Sequence, residues 1–200
     1  LLEERKKRKE KKQKKIWPGR MKNKRKKIMG LTGTNGAGKG EAASFFQKKG
    51  YLYFSLSDII REKLREKGQK ITRNNLIKTG NQLREKFGPD ILARLVMRNV
   101  KGNSIIDSIR NPKEIQYLKR QKGFILLAID APVELRYKRV KNRGREESAS
   151  TLQEFIKKEA EEMTCDENGQ QLHNCIKMAD YIISNNGSLE EFHGKLEEFL

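Results

Sequence analysis

Eight consecutive residues, Gly33-Thr34-Asn35-Gly36-Ala37-Gly38-Lys39-Gly40, combine what a polyphosphate needs from a protein. Glycines let the backbone turn several N–H groups inward, and a lysine supplies a mobile full charge near the outer phosphates. The apolar run Ile28-Met29-Gly30-Leu31 precedes this stretch, and Ala42-Ala43-Ser44-Phe45-Phe46 follows with the spacing of a buried helix face. Strand, loop and helix in that order form a phosphate-binding loop whose helix N-terminus adds partial positive charge. The pattern predicts a nucleoside triphosphate bound by Gly33, Asn35, Gly36, Ala37, Gly38, Lys39, Gly40 and Glu41. Such loops usually end Gly-Lys-Ser/Thr, with the hydroxyl on Mg²⁺. Gly40 stands there instead, so Mg²⁺ would rely more on phosphate oxygens and waters.

Further groups of the right type recur downstream. Arg61 lies one helical turn into a helix that follows the second apolar run, where a guanidinium can grip a phosphate bidentately. Asp107 closes the run Ser104-Ile105-Ile106-Asp107, and Arg110 follows three residues on. Strand C-termini form the ligand crevice of an open α/β sheet. An acidic residue there orders the water of Mg²⁺ or takes a proton from the attacking group. Arg84, on the preceding helix, is a further candidate for the acceptor phosphate. Arg136, Arg139, Arg143 and Arg145 cluster just before Glu146-Glu147, and Arg139 and Arg143 share a helix face. Phosphoryl transfer needs positive charge on the migrating group, which assigns Arg143 and Arg145 to transition-state stabilisation and Arg136 to the solvated helix surface.

The elements that position these groups alternate. Strands are expected at Ile28–Thr32, Tyr51–Phe54, Ser104–Asp107, Phe124–Asp130 and Tyr181–Ile183. The nearly continuous apolar run at Phe124–Asp130 marks a parallel strand covered on both faces. Helices are expected at about 38–49, from an N-cap at Ser57-Asp58 to about Lys67, and at about 73–87 and 89–100, the last with Pro89 in its first turn. Others follow from Pro132 to about Gly144 and at about 151–163, 168–178 and 189–200. The alternation implies a three-layer α/β/α domain with a parallel sheet of about five strands.

Composition bounds the rest. Two hundred residues suit one core, and no stretch approaches the ~20 apolar residues of a membrane span. Cys165 and Cys175 make no disulfide framework and fit a reducing cytoplasm; His173 between them lacks the partners of a metal site. The formal net charge is +19. Residues 1–27 carry 15 Lys and Arg against 3 Glu, so the domain expected over 28–200 keeps only +7. A run this polar cannot fold by itself and reads either as a disordered leader or as an arm with weak affinity for nucleic acid, with Trp17 its one stacking aromatic. Because Leu1 opens the chain and Met21 stands just before the first strand, residues 1–20 read as a fragment of something longer or as sequence upstream of the natural start.

Gly-Lys-Gly at residues 38–40 resembles the phosphate loop of nucleoside monophosphate kinases, although Glu41 stands where adenylate kinases have Thr. Ser55-Leu56-Ser57-Asp58-Ile59-Ile60-Arg61 resembles the Ser-Thr-Gly-Asp-Met-Leu-Arg acceptor segment of adenylate-type kinases, with Ser57 replacing the glycine. Asp107-Ser108-Ile109-Arg110 resembles their Asp-Gly-Phe-Pro-Arg, one residue shorter, and Arg145-Glu146-Glu147 their Arg-x-Asp-Asp lid element. Towards the C-terminus, Asp130-Ala131-Pro132 with Arg136 and Arg139, then Ala179 to Leu189, resembles dephospho-coenzyme A kinases, where Ser184–Gly187 would lie near the adenine. The resemblance spans about 28–199 and implies a P-loop kinase with ATP and Mg²⁺. It implies acceptor-binding helices over about 57–100 and a lid over about 143–150. Lys39, Asp107, Arg143 and Arg145 would be catalytic, with Asp107 meeting Mg²⁺ through water. Ser57, Asp58, Arg61, Arg84 and Arg110 would hold a small nucleotide-type acceptor, either a (deoxy)nucleoside monophosphate or the 3′-hydroxyl of dephospho-coenzyme A. A cytoplasmic monomer or small homo-oligomer is expected. An RNA- or ribosome-associated NTPase using the basic tail is the expectation from a different class.

Overall fold

The central strands, Ile28–Thr32 and Ser104–Asp107, are buried at every position, their side chains alternating between two apolar cores. The computed structural model describes residues 26–143, 149–161 and 167–200. In chain order these form β1 (Ile28–Thr32), α1 (Lys39–Lys48), β2 (Leu52–Ser55), α2 (Leu56–Glu66), α3 (Arg73–Phe87), α4 (Ile91–Met97) and β3 (Ser104–Asp107). After these come α5 (Pro112–Lys119), β4 (Phe124–Asp130), α6 (Val133–Asn142), α7 (Leu152–Glu161), α8 (Leu172–Lys177), β5 (Tyr181–Ser184) and α9 (Leu189–Glu197). Arg145, Glu146, Glu147, Trp17 and Cys165 lie outside the described residues.

The strands form one parallel sheet in the order β2-β3-β1-β4-β5, with Met29 opposite Ile105 on one side and Ile125 on the other. Ile28, Ile106 and Leu126 point to a core closed by α2, α4, α5 and α8. Met29, Leu31, Ile105, Leu127 and Ile129 point to a second core closed by Phe45 and Phe46 of α1 and by Phe192 and Leu196 of α9. This is the three-layer α/β/α architecture of the P-loop NTPases. Because β1 lies between β3 and β4, the loop after it opens at the topological switch point, where such sheets bind ligands.

Three local expectations change. The N-cap of α2 is Ser55, whose hydroxyl accepts the Ser57 N–H, rather than Ser57-Asp58. Helix α4 starts after the N-cap Asp90, so Pro89 precedes the helix instead of sitting in its first turn. Helix α5 has no counterpart among the expected elements. It starts from a capping box in which Asn111 accepts the Lys113 N–H and Glu114 reaches back to the Asn111 N–H, with Pro112 fitting the first turn. Two residues of the basic segment also join the domain: Lys26 Nζ donates to Val100 O, and the Lys27 N–H donates to Asn103 Oδ1.

Candidate active site

The loop between β1 and α1 is moulded by glycine. Gly33, Gly36 and Gly38 take φ of 133°, 77° and 113°. A Cβ on Gly33 would stand 2.1 Å from Ile129 O, and one on Gly38 would stand 2.2 Å from Asn185 Nδ2. The first clash is with backbone and the second would push the Asn185 amide off Ala37 O, so packing adds to the positive φ in favouring glycine at both positions. Lys39 Nζ folds over the loop, donating to Gly33 O at 2.7 Å and Thr34 O at 2.8 Å. The Thr34 hydroxyl is buried without a hydrogen-bond partner. A cradle that admits no side chain, a lysine poised above it and an orphaned buried hydroxyl suit a polyphosphate that supplies the missing acceptors.

Distant segments brace this loop. Asn185 Nδ2 donates to Ala37 O at 2.8 Å, and Arg139 donates to Asn185 O and to Ala37 O. Burial, and then the charge of Arg143, lowers the Arg139 pKa from its ordinary value. Arg136 is buried rather than solvated. Its guanidinium donates to Ala131 O and Asn35 O and pairs both ends with Glu159 of α7. Glu41 turns towards α9, where His193 Nε2 lies 2.7 Å from its carboxylate. Gly40 has open space where a Cβ would stand.

The end of β3 supplies the carboxylate. Asp107 is 9% exposed; its Oδ1 accepts the Ser108 N–H at 2.6 Å, and its Oδ2 accepts the Tyr53 hydroxyl at 3.1 Å. Burial first, and then the Asp107 charge, pushes the Tyr53 pKa up to about 12, so the phenol stays a donor. Arg61 donates to Ser57 Oγ at 2.5 Å and to Asp58 at 2.9 Å. Arg110 donates to Gln170 Oε1 at 2.8 Å. Arg84 is only 3% exposed and gives Nε and a terminal NH₂ to one oxygen of the fully buried Glu114. The other oxygen of Glu114 accepts the N–H groups of Arg110 and Asn111.

A cleft of about 740 Å³ gathers these groups. It runs from Asn35 of the loop past Ser57, Arg61 and the start of α3 to Ser108 and Arg110, and is closed opposite by α6 and α7. Arg61, Arg73, Arg110, Arg143 and Lys158 line it, and the carboxylate among its described lining residues, Glu159, is already paired with Arg136. Of the sequence candidates, Asn35, Ser57, Arg61, Arg84, Arg110 and Arg143 meet in this cleft. Asp58 lies on the outer side of Arg61, with its side chain 60% exposed. The spacing of residues gave no hint of Tyr53, Glu114, Gln170 or Glu159. Their partners lie between 23 and 60 residues away in the chain.

Sheet order and loop together define a P-loop NTPase domain. The AAA-domain family profile matches residues 29–164. The chain belongs to the UPF0200 family. It is 34% identical to a UPF0200 protein of Sulfurisphaera tokodaii over 176 residues, 87% of this chain and 96% of the relative. It is 33% identical to one of Pyrococcus horikoshii, covering 86% of this chain and 94% of that relative. Among solved structures it is similar in fold to TT1252 from Thermus thermophilus, with a TM-score of 0.58 and 22% identity over 88% of this chain and 97% of the other. It is also similar to shikimate kinase from Bacteroides thetaiotaomicron, with a TM-score of 0.58 and 16% identity over 88% and 98%. Among the described residues no helix is long and apolar enough to cross a membrane.

Proposed function

We propose that this protein transfers the γ-phosphoryl group of Mg·ATP to a small nucleotide-type acceptor bound in the cleft, with a nucleoside or deoxynucleoside monophosphate as the leading acceptor. One observation carries the reading. A single cleft reaches from Asn35 of the phosphate loop to a wall of Arg61, Arg73, Arg110, Arg143 and Lys158. Its lining carboxylate Glu159 is held by Arg136, and Asp58 and Glu154 pair with Arg61 and Lys158 from outside it, so cationic side chains face the space where a second anion would sit beside the first. Two anions held side by side need such charge, because phosphoryl transfer depends on positioning and electrostatic stabilisation.

In this reading Lys39 leaves the carbonyls of Gly33 and Thr34 for the outer phosphates, and the loop amides hold the rest. Mg²⁺, when bound, neutralises phosphate charge, and Asp107 is the carboxylate available to order its water. Arg61 and Arg110 hold the acceptor anion, and the acceptor oxygen attacks the γ-phosphorus as the bond to the bridging oxygen breaks. Arg143, together with Arg145 from outside the described residues, meets the charge on the migrating group. The buried Arg84 fixes the floor beneath them.

Dephospho-coenzyme A is the second reading. Arg139 and Asn185 come from the two segments that resemble dephospho-coenzyme A kinases, and both act on Ala37 O. An acceptor screen with ATP, setting all nucleoside monophosphates against dephospho-coenzyme A, separates the two readings. Lys39→Ala should abolish transfer to whichever acceptor responds. Unchanged turnover in that variant refutes the phosphotransferase reading.

A further inference from the structure

Three serine hydroxyls meet where β2, α2 and the loop after β3 converge. Ser55 Oγ lies 2.9 Å from Ser57 Oγ and 3.2 Å from Ser108 Oγ, and Ser108 Oγ lies 3.4 Å from Ser57 Oγ. Ser55 is the buried member, at 5% exposure, and also caps α2. Ser57 and Ser108 line the cleft. Arg61 donates to Ser57 Oγ on one side of the triangle, and Asp107 accepts the Ser108 N–H on the other.

The backbone at Ser108 sharpens the observation. Its φ is 65°, and it is the one non-glycine residue with positive φ among the described residues. Glycine would adopt this conformation without the clash that a Cβ brings. A side chain kept in such a conformation at the end of a P-loop sheet's third strand points to a task for its hydroxyl. Each serine hydroxyl has one proton and two lone pairs, so a closed triangle leaves lone pairs unfilled. The triangle engages the one proton of each hydroxyl, and its longest edge, Ser108 to Ser57 at 3.4 Å, costs least to give up when a ligand oxygen offers a better acceptor in the cleft.

We propose that Ser57 and Ser108 form a specificity subsite that hydrogen-bonds an oxygen at the reacting end of the acceptor. That oxygen belongs either to a phosphate or to the alcohol that receives the phosphoryl group. The proposal rests on reading the cleft as the acceptor site. It adds to that reading a discrimination by neutral hydroxyls, distinct from the charge attraction of Arg61 and Arg110. Ser55 acts through the other two and is a positioning residue.

The test compares wild type with Ser108→Gly and Ser57→Ala, using AMP, CMP, GMP, UMP, dAMP, dCMP, dGMP, dTMP and dephospho-coenzyme A as probes with ATP. Ser108→Gly removes the hydroxyl while easing the backbone, so it should melt no lower than wild type. Its KM for the responding acceptor should rise about tenfold, the size of one lost hydrogen bond, while its KM for ATP changes less than about twofold. Ser57→Ala should weaken the acceptor in the same direction. A response with monophosphates assigns the oxygen to a phosphate, and one with dephospho-coenzyme A assigns it to an alcohol. If wild type is active and Ser108→Gly keeps its acceptor KM, the subsite is refuted and the kinase reading stands. A lower melting temperature accompanied by an ATP KM that rises equally makes the serines structural and also refutes it. If wild type binds ATP yet phosphorylates none of the probes, the acceptor reading itself is overturned, and the subsite goes with it.

Discussion

Glu114 carries the largest stability prediction, and the result decides what Arg84 is for. Its carboxylate has no exposure and accepts four hydrogen bonds, two from the Arg84 guanidinium and one each from the N–H groups of Arg110 and Asn111. Glu114→Gln keeps the shape but replaces one acceptor oxygen with a donor NH₂. That NH₂ must then face either the guanidinium or the two backbone N–H groups, which are donors too. Breaking a buried ion pair by removing one partner costs about 3–5 kcal/mol. Against a typical total of about 5–15 kcal/mol, such a loss removes a large part of the stability of the domain. Urea unfolding at neutral pH should show the loss as a lower midpoint with an unchanged slope. Arg84→Met should be less costly, because the Glu114 carboxylate keeps its two backbone donors. In the double variant the two losses should fall short of their sum by at least about 1 kcal/mol, as expected for residues in direct contact. A Glu114→Gln loss below about 1 kcal/mol would refute the assignment of this pair as the brace beneath Arg110. If Arg84→Met left stability intact and raised only the acceptor KM, Arg84 would be a ligand residue.

Two further outcomes follow from the geometry. Gly40→Ser should be accommodated without steric conflict, since nothing lies within 4 Å of the added Cβ, and should stabilise the start of α1 by about 0.5 kcal/mol. It should also lower the Mg²⁺ concentration needed for ATP binding, as read by titrating the metal at fixed nucleotide; destabilisation by more than about 1 kcal/mol would contradict the open space. Tyr53→Phe removes a donor to Asp107 and with it a pH dependence. The folded state holds the Tyr53 proton to about pH 12, whereas the unfolded chain releases it near 10.0, the ordinary value of a phenol. The unfolded state therefore binds fewer protons in that window, and the unfolding free energy of wild type should fall as pH rises through it. Urea unfolding at stepped pH should show a flatter decline for Tyr53→Phe, and equal slopes in the two proteins would remove Tyr53 from the account.

The phosphate loop was legible because its chemistry is local: glycines, a lysine and flanking apolar runs lie within about twenty residues. The five strands were legible for the same reason, being short apolar runs between turn signals. Helix α5 was not anticipated, since Ile115 and Leu118 are its buried apolar residues and eight residues give little periodicity. Its signal was the capping box with proline at Asn111-Pro112-Lys113-Glu114. Arg136 shows the other limit. Its basic neighbours suggest a solvated face, and only the return of α7 brings Glu159 to it. Arg84 and Tyr53 belong to the same class, because a buried or partnered role depends on which strands and helices become neighbours.

The clasp on Ala37 has a consequence for how the loop acquires its shape. The loop is written near the start of the domain, yet Ala37 O is gripped by side chains 102 and 148 residues further on. Contacts so remote form late, after the intervening chain has been ordered. During synthesis the glycine cradle therefore exists as sequence long before it exists as a shape. It is set only when β5 has added to the sheet edge and brought Asn185 into place. A chain that stops short of β5, or folds without it, carries the whole motif and lacks the grip on Ala37.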